Sequence, residues 1–291
     1  MIIKRLITGA AALAALGGAS YLGYKRYANT PGVLGDTKYE YDTEIHEVRY
    51  DGKKIYGELL IPKKEGKLPL VIVSHGFGSN YKATKEMVGK ALAMSGVAAY
   101  CYDFCGGNPK PASSLTMLDM SVMTEKEDLL HVIDDVTKLD VVDPEKVWIL
   151  GESQGGIVSA LAGAEREDLV RGMILYYPAF CIPDDAHARF GTLDAVPDVI
   201  DIMGKTISKK YYEDIFDLDV YEAIASFKKP VLIIHGDADS IVDVSYGRKA
   251  AQVYRDCEYH ELKGEQHGWF MGTGRKKSAE LTYAFLERTG L

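Results

Sequence analysis

Lys146-Val147-Trp148-Ile149-Leu150-Gly151-Glu152-Ser153-Gln154-Gly155 is the stretch on which the reading of this 291-residue chain turns. The apolar run up to Leu150 has the character of a buried strand. Beyond it, Gly156-Ile157-Val158-Ser159-Ala160-Leu161-Ala162-Gly163 is a small-residue helical pattern. The order is strand, sharp turn, helix, with a serine at the apex. Such a serine projects its hydroxyl from the top of a sheet, in a backbone strained enough to require tiny neighbours. Gly151 and Gly155 meet that requirement. The five-residue pattern alone also arises by chance, and a plain loop would use the same glycines, so the weight falls on its flanks and partners.

Outward from this stretch, strands and helices alternate. Glu44 to Tyr50 and Lys54 to Ile61 alternate apolar and polar residues around Asp51-Gly52, the pattern of a β-hairpin. Leu70 to Val73, Val97 to Phe104, Val170 to Tyr177 and Pro230 to Ile234 are short apolar runs, and Cys257 to Leu262 is a further short strand. Helical spacing covers Lys82 to Ser95, Val244 to Tyr254 and Lys276 to Arg288. Another helix opens at Thr124, with Glu127 three residues on as a capping box. This alternation predicts an α/β architecture, a mostly parallel eight-stranded sheet with helices on both faces, whose ligands sit beyond the carboxyl ends of the strands. Residues 180–227 break the alternation. They are rich in aromatics and aspartates, and predict a small insert over one end of the sheet.

Composition narrows the function classes. At 47% hydrophobic and 26% charged the chain can bury a large core, and its net charge of −8 argues against nucleic-acid binding. No Cys/His cluster has metal-ligand spacing. Cys101, Cys105, Cys181 and Cys257 are too few and scattered for a disulfide scaffold, and Cys101 reads as a small buried apolar residue. The first 30 residues differ in kind. Lys4 and Arg5 precede an uncharged stretch, residues 6–24, and Lys25 and Arg26 follow it. This predicts an export signal or a membrane anchor, and a folded domain at 37–291 placed outside the cytoplasm, secreted or tethered. Membrane contact is expected through residues 6–24 alone. Oligomeric state has no signature in the sequence.

A serine hydroxyl needs a base to become a nucleophile, and the base needs an acid to orient it. On a sheet of this type the chain order is serine, acid, histidine. Of seven histidines only His260 and His267 come late enough, and His260 lies inside a strand pattern. His267, in Gly264-Glu265-Gln266-His267-Gly268, is the candidate base. Asp237, Asp239 and Asp243 compete as the acid, with Asp184 and Asp185 as outside alternatives. Asp239 lies far enough into its loop to turn toward His267, whereas Asp237 is expected to stabilise the turn through its own backbone. A developing oxyanion needs backbone donors. The candidates are the amide of Gln154, directly after the serine, and that of Phe77, in the loop after the strand ending at Val73.

His75-Gly76-Phe77-Gly78, Gly151-Glu152-Ser153-Gln154-Gly155, His235-Gly236-Asp237-Ala238-Asp239 and Gln266-His267-Gly268 together resemble the α/β-hydrolases across residues 37–291. Within them the chain is most similar to bacterial cinnamoyl/feruloyl-esterase-like and prolyl-oligopeptidase-like hydrolases. The resemblance implies Ser153, Asp239 and His267 as a catalytic triad, Phe77 and Gln154 as oxyanion amides, and residues 180–227 as a small lid. It implies a small-molecule ester as substrate, and the mechanism needs no cofactor or metal. Val242-Asp243, where relatives often carry Val-Pro, and the unusual loop Cys101 to Gly107 depart from the pattern. A serine peptidase of the prolyl-oligopeptidase type is the rival activity, ranked second because the sequence lacks the long propeller such enzymes usually carry. A tethered binding protein that kept the fold without catalysis is the rival from another class.

Overall fold

The continuous apolar runs have a simple cause: both faces of the central strands are buried. In β3 (Leu68–Ser74) every residue is buried, with Leu70 and Ile72 entering one core and Val71 and Val73 the other. In β5 (Val142–Glu152), Val147 and Ile149 join the first core while Trp148 and Leu150 join the second. A strand with no solvent face has no polar positions to alternate with, so it reads as an unbroken run.

The computed structural model describes residues 38–269 and 273–291. The other sheet strands are β1 (Tyr41–Tyr50), β2 (Lys53–Pro62), β4 (Ala98–Tyr102), β6 (Gly172–Tyr176), β9 (Val231–Gly236) and β10 (Cys257–Leu262), and β7 (Val199–Ile202) and β8 (Lys205–Ser208) form a separate hairpin. The eight-stranded sheet has the order β1-β2-β4-β3-β5-β6-β9-β10. β1 pairs antiparallel with β2, and β2 with β4, and the remaining pairs are parallel.

Helices cover both faces. α1 runs from Tyr81–Thr84 through a π turn at Lys85–Gly89 to Lys90–Met94. It is followed by α2 (Val122–Val136), α3 (Gln154–Glu165), α4 (Ile182–Phe190), α5 (Lys210–Glu213), α6 (Val220–Ile224), α7 (Val244–Val253) and α8 (Gly274–Arg288). Leu129 and Ile133 of α2, Ile157 and Val158 of α3 and Ala250 of α7 fill the first core. Leu92 and Ala93 of α1 and Phe285 and Leu286 of α8 fill the second.

Local readings are sharpened in three places. The β1–β2 turn is Asp51-Gly52, with φ of 44° and 74°, two left-handed residues as a two-residue hairpin of this twist requires. α2 begins three residues earlier than the Thr124/Glu127 pattern suggests. Ser121 is its N-cap, accepting from the Thr124 amide, while the Thr124 hydroxyl accepts from the Ser121 amide. The box is therefore Ser121/Thr124, because a threonine can return the bond that a glutamate usually makes. Residues 180–227 contain the β7–β8 hairpin as well as short helices, and its turn at Met203-Gly204 places a non-glycine residue at φ 51°.

Tyr211, Tyr212, Phe216 and Phe227 from this region are buried in the first core, so these rings pack the insert onto the sheet. Among the described residues no helix is long and apolar enough to cross a membrane. The N-terminal segment 1–30 lies outside the described residues.

Candidate active site

Ser153 stands at the junction of β5 and α3 with φ 53° and ψ −116°, a conformation that L-residues rarely adopt. Its amide donates to the Tyr176 carbonyl at 2.9 Å, and its own carbonyl accepts from Gly156 and Ala179, each at 2.9 Å. The flanking glycines are required by close backbone approach. A Cβ on Gly151 would meet the Gly155 carbonyl oxygen at 2.1 Å, and one on Gly155 would meet the carbonyl oxygens of Ser74 and His75 at 2.5 Å. The second contact also seats the start of α3 against the end of β3, bringing the Ser153 and His75 loops together.

His267 follows β10 in a tight turn in which Gly268 has φ 81°. Its Nε2 lies 2.9 Å from Ser153 Oγ and its Nδ1 lies 2.7 Å from Asp239 Oδ2. A carboxylate only accepts, so Nδ1 carries the proton and donates to Asp239, leaving Nε2 to accept from the serine hydroxyl. Asp239 has a fully buried side chain. Its Oδ1 accepts from the amides of Ile241 and Val242 at 2.8 and 2.9 Å. Burial pushes its carboxyl up, but the close donors on His235 and His267 and the Val242 amide outweigh this and hold it well below the usual carboxylate range.

The other candidates are engaged elsewhere. Asp237 does not bond its own turn. Its Oδ1 accepts from the Gly264 amide at 2.5 Å, tying the turn after β9 to the loop that carries His267. This is a tertiary contact that the local turn pattern does not encode. Asp243 caps α7 through the Ser245 amide, which gives the Val242-Asp243 departure a structural use. Asp184 accepts from the Tyr246 hydroxyl, and His260 pairs with Glu258. His235, given no role in the sequence reading, is fully buried on β9. Its Nε2 sits 3.1 Å from the Val242 carbonyl and 3.3 Å from Asp239 Oδ2, bracing the acid from behind. Its only sequence signal is its place four residues before Asp239.

The loop after β3 is held by His75. Burial lowers the imidazole pKa, against the opposing effects of Asp103 and the Gly76 carbonyl, and favours the neutral ring. Nδ1–H then donates to the Gly76 carbonyl at 2.8 Å while Nε2 accepts from the Phe104 amide at 3.2 Å. Fixing that carbonyl fixes the plane of the following peptide and hence the direction of the Phe77 N–H. Gly76 packs directly on the serine, since a Cβ there would lie 3.1 Å from Ser153 Cβ. Neither the Phe77 nor the Gln154 N–H has a hydrogen-bond partner among the described residues. The Gln154 amide is an unpaired first-turn donor of α3. From the hairpin, Lys205 lies over the same loop, with Nζ 5.8 Å from the centre of the Phe77 ring.

The Gln154 side chain makes contacts that sequence reasoning missed. Its Nε2 donates to Glu125 Oε2 at 2.7 Å and its Oε1 accepts from the Tyr211 hydroxyl at 2.6 Å. Glu125 is buried in α2, and its Oε1 has no partner among the described residues. Burial pushes its carboxyl well up, with the Gln154 bond opposing and Asp128 adding to the rise.

The profile of the family described as serine aminopeptidase, S33, matches residues 67–213, half of the chain, from β3 through the elbow into the insert. The chain belongs to this family, within the α/β-hydrolases. This S33-family chain is 31% identical to the monoglyceride lipase of Rattus norvegicus over 133 residues, 46% of this chain and 42% of the relative. It is 26% identical to that of Homo sapiens over 150 residues, 52% of this chain and 48% of the relative. The matches thus span less than half the length of these curated relatives. Over the whole fold it is similar to Est1E from Butyrivibrio proteoclasticus, solved with ferulic acid bound. That likeness has a TM-score of 0.76 at 26% identity and covers 84% of this chain and 98% of the other. The mostly parallel sheet and its helical layers are those of the α/β-hydrolase fold.

Proposed function

We propose that the chain is a serine hydrolase that cleaves carboxylic esters through an acyl-enzyme. The observation that carries this reading is the unbroken line Ser153 Oγ to His267 to Asp239, at 2.9 and 2.7 Å, beside two amides that have no partner among the described residues. In the proposed cycle, His267 Nε2 takes the Ser153 proton as Oγ attacks the ester carbonyl. The amides of Phe77 and Gln154 hold the resulting oxyanion. The tetrahedral species collapses, and His267 gives the proton to the departing alcohol. Water then enters, His267 removes its proton, and a second tetrahedral species breaks to release the acid and restore the serine. Asp239 keeps the imidazole in the tautomer that the first step needs, with His235 and the amides of Ile241 and Val242 holding its carboxylate.

Likeness to Est1E, solved with ferulic acid, and to monoglyceride lipases supports an ester substrate. Residues 180–227 are proposed as a cover over the acyl site. The segment 1–30 is proposed to export or tether the domain, a reading supported by its sequence alone and tested by fractionating cells that carry a C-terminal epitope. The family description favours one rival, a peptidase acting on a free amino terminus. Parallel turnover of short p-nitrophenyl esters and aminoacyl-nitroanilides separates the two. Ester turnover that vanishes in Ser153→Ala is the expected result, and nitroanilide turnover alone would favour the peptidase.

A further inference from the structure

We infer that Tyr211 and Glu125 are positioning residues of the oxyanion site, acting through the Gln154 side chain, so that the insert is part of the hydrolytic machinery and more than a cover. The inference rests on the serine-hydrolase reading above and extends it to residues that do not touch substrate. Gln154 serves the site with its backbone, yet its side chain is buried and both ends of its amide are engaged. The polarity of those bonds is set by the groups themselves. Tyr211 O–H donates to Oε1, and Nε2 donates to Glu125 Oε2. The side chain is thus clamped between α2 and the insert, immediately after a serine whose backbone is strained.

Tyr211 has a second handle on the same site. Its ring meets the Phe77 ring edge-to-face with centres 5.9 Å apart. One residue of the insert therefore touches both residues whose amides are the proposed oxyanion donors. Burying an amide against a carboxyl is costly for packing alone, because an apolar side chain would fill the space without desolvating either group. What the polar clamp supplies is a fixed orientation. Oxyanion donors act only when held at the position where charge develops, so loosening them lowers kcat and leaves ground-state binding almost unchanged.

The test is kinetic, on the full chain with a p-nitrophenyl ester and a fluorophosphonate. Tyr211→Phe keeps the ring on Phe77 and strands Gln154 Oε1. Its kcat is expected to fall about 10-fold, as for loss of one buried hydrogen bond, with KM within about 2-fold. Tyr211→Leu removes both handles and is expected to cost about 100-fold, the scale of a displaced oxyanion donor. Glu125→Leu should lose activity as Tyr211→Phe does, and Glu125→Gln, which can still accept from Gln154, should recover most of it.

The rate of fluorophosphonate labelling should fall in step with kcat in each variant, which a purely structural role would not produce in folded protein. Tyr211→Phe changes a single hydroxyl and keeps the test open if Tyr211→Leu does not fold. Folded Tyr211 variants with wild-type kcat and labelling rate, or with a change confined to KM, would overturn the inference. Ser153→Ala in the same series separates the two failures: full turnover there would sink the hydrolase reading itself.

Discussion

Replacing Asp239 by asparagine tests the assignment of the acid against its neighbours on the same loop. The Asp239 carboxylate accepts three hydrogen bonds, from Ile241, Val242 and His267, and His235 Nε2 approaches it at 3.3 Å. Asparagine can keep its oxygen toward the amides of Ile241 and Val242, which places its NH2 where Oδ2 was, 2.7 Å from His267 Nδ1 and 3.3 Å from His235 Nε2. Donor then faces donor. His267 escapes the clash by moving its proton to Nε2, where it points at Ser153 Oγ and can no longer accept. The same exchange in a Ser-His-Asp triad costs about 10^4 in kcat, so a loss of about 10^3 to 10^4 is expected here. His235 retains the Val242 carbonyl as a partner, so the variant should fold. Steady-state hydrolysis of a p-nitrophenyl ester, with a melting curve as the folding control, reads the outcome. A folded Asp239→Asn within about 10-fold of wild type would refute the reasoning and return the role to Asp237, Asp243 or Asp184.

Two further outcomes follow from the elbow. Ser153→Gly and Ser153→Ala both lack the hydroxyl, but only glycine relieves the backbone at φ 53°. A left-handed L-residue costs about 1–2 kcal/mol and glycine returns about 0.4–1 of that in unfolded-chain freedom. The glycine variant should therefore be the more stable of the two by about 1 kcal/mol, or roughly 2–4 °C in Tm, and equal melting would count against backbone strain at this site. Glu152 lines a pocket with Arg275 and Ser278 of α8, and burial raises its carboxyl from 4.5 to about 7 against the opposing charge of Arg275. Between those values the native chain holds a proton that the unfolded chain has lost, so its contribution to stability is lost as pH rises through this window. Glu152→Gln stays neutral throughout. Its stability relative to wild type should grow by up to about 3 kcal/mol from pH 4.5 to above 7, measured by urea denaturation, and a difference that is flat with pH would contradict the account.

The parts legible from the sequence are those that depend on backbone rules. Strands buried on both faces must be apolar throughout, and the elbow must have glycine where a Cβ would strike a carbonyl oxygen at 2.1 or 2.5 Å. Chain order and strand ends then select Ser153, Asp239 and His267 from many alternatives, and the structure places these three side chains in contact. What was illegible depends on partners remote in sequence. Asp237 reaches Gly264 and Gln154 is clamped by Glu125 and Tyr211, and no local pattern encodes such pairings. The β7–β8 hairpin was hidden because its turn uses Met203-Gly204 in place of the usual Asn-Gly or Asp-Gly. The start of α2 shifted because threonine returned the capping bond expected of a glutamate.

The central claim is that hydrolysis passes through an ester on Ser153. Rapid acid quench of a p-nitrophenyl ester reaction, followed by mass spectrometry of the peptides, tests it most directly. The acyl group is expected on the peptide carrying Ser153, appearing with the burst of nitrophenol and absent from Ser153→Ala. Turnover with no adduct at any quench time, or an adduct on another residue, would contradict it.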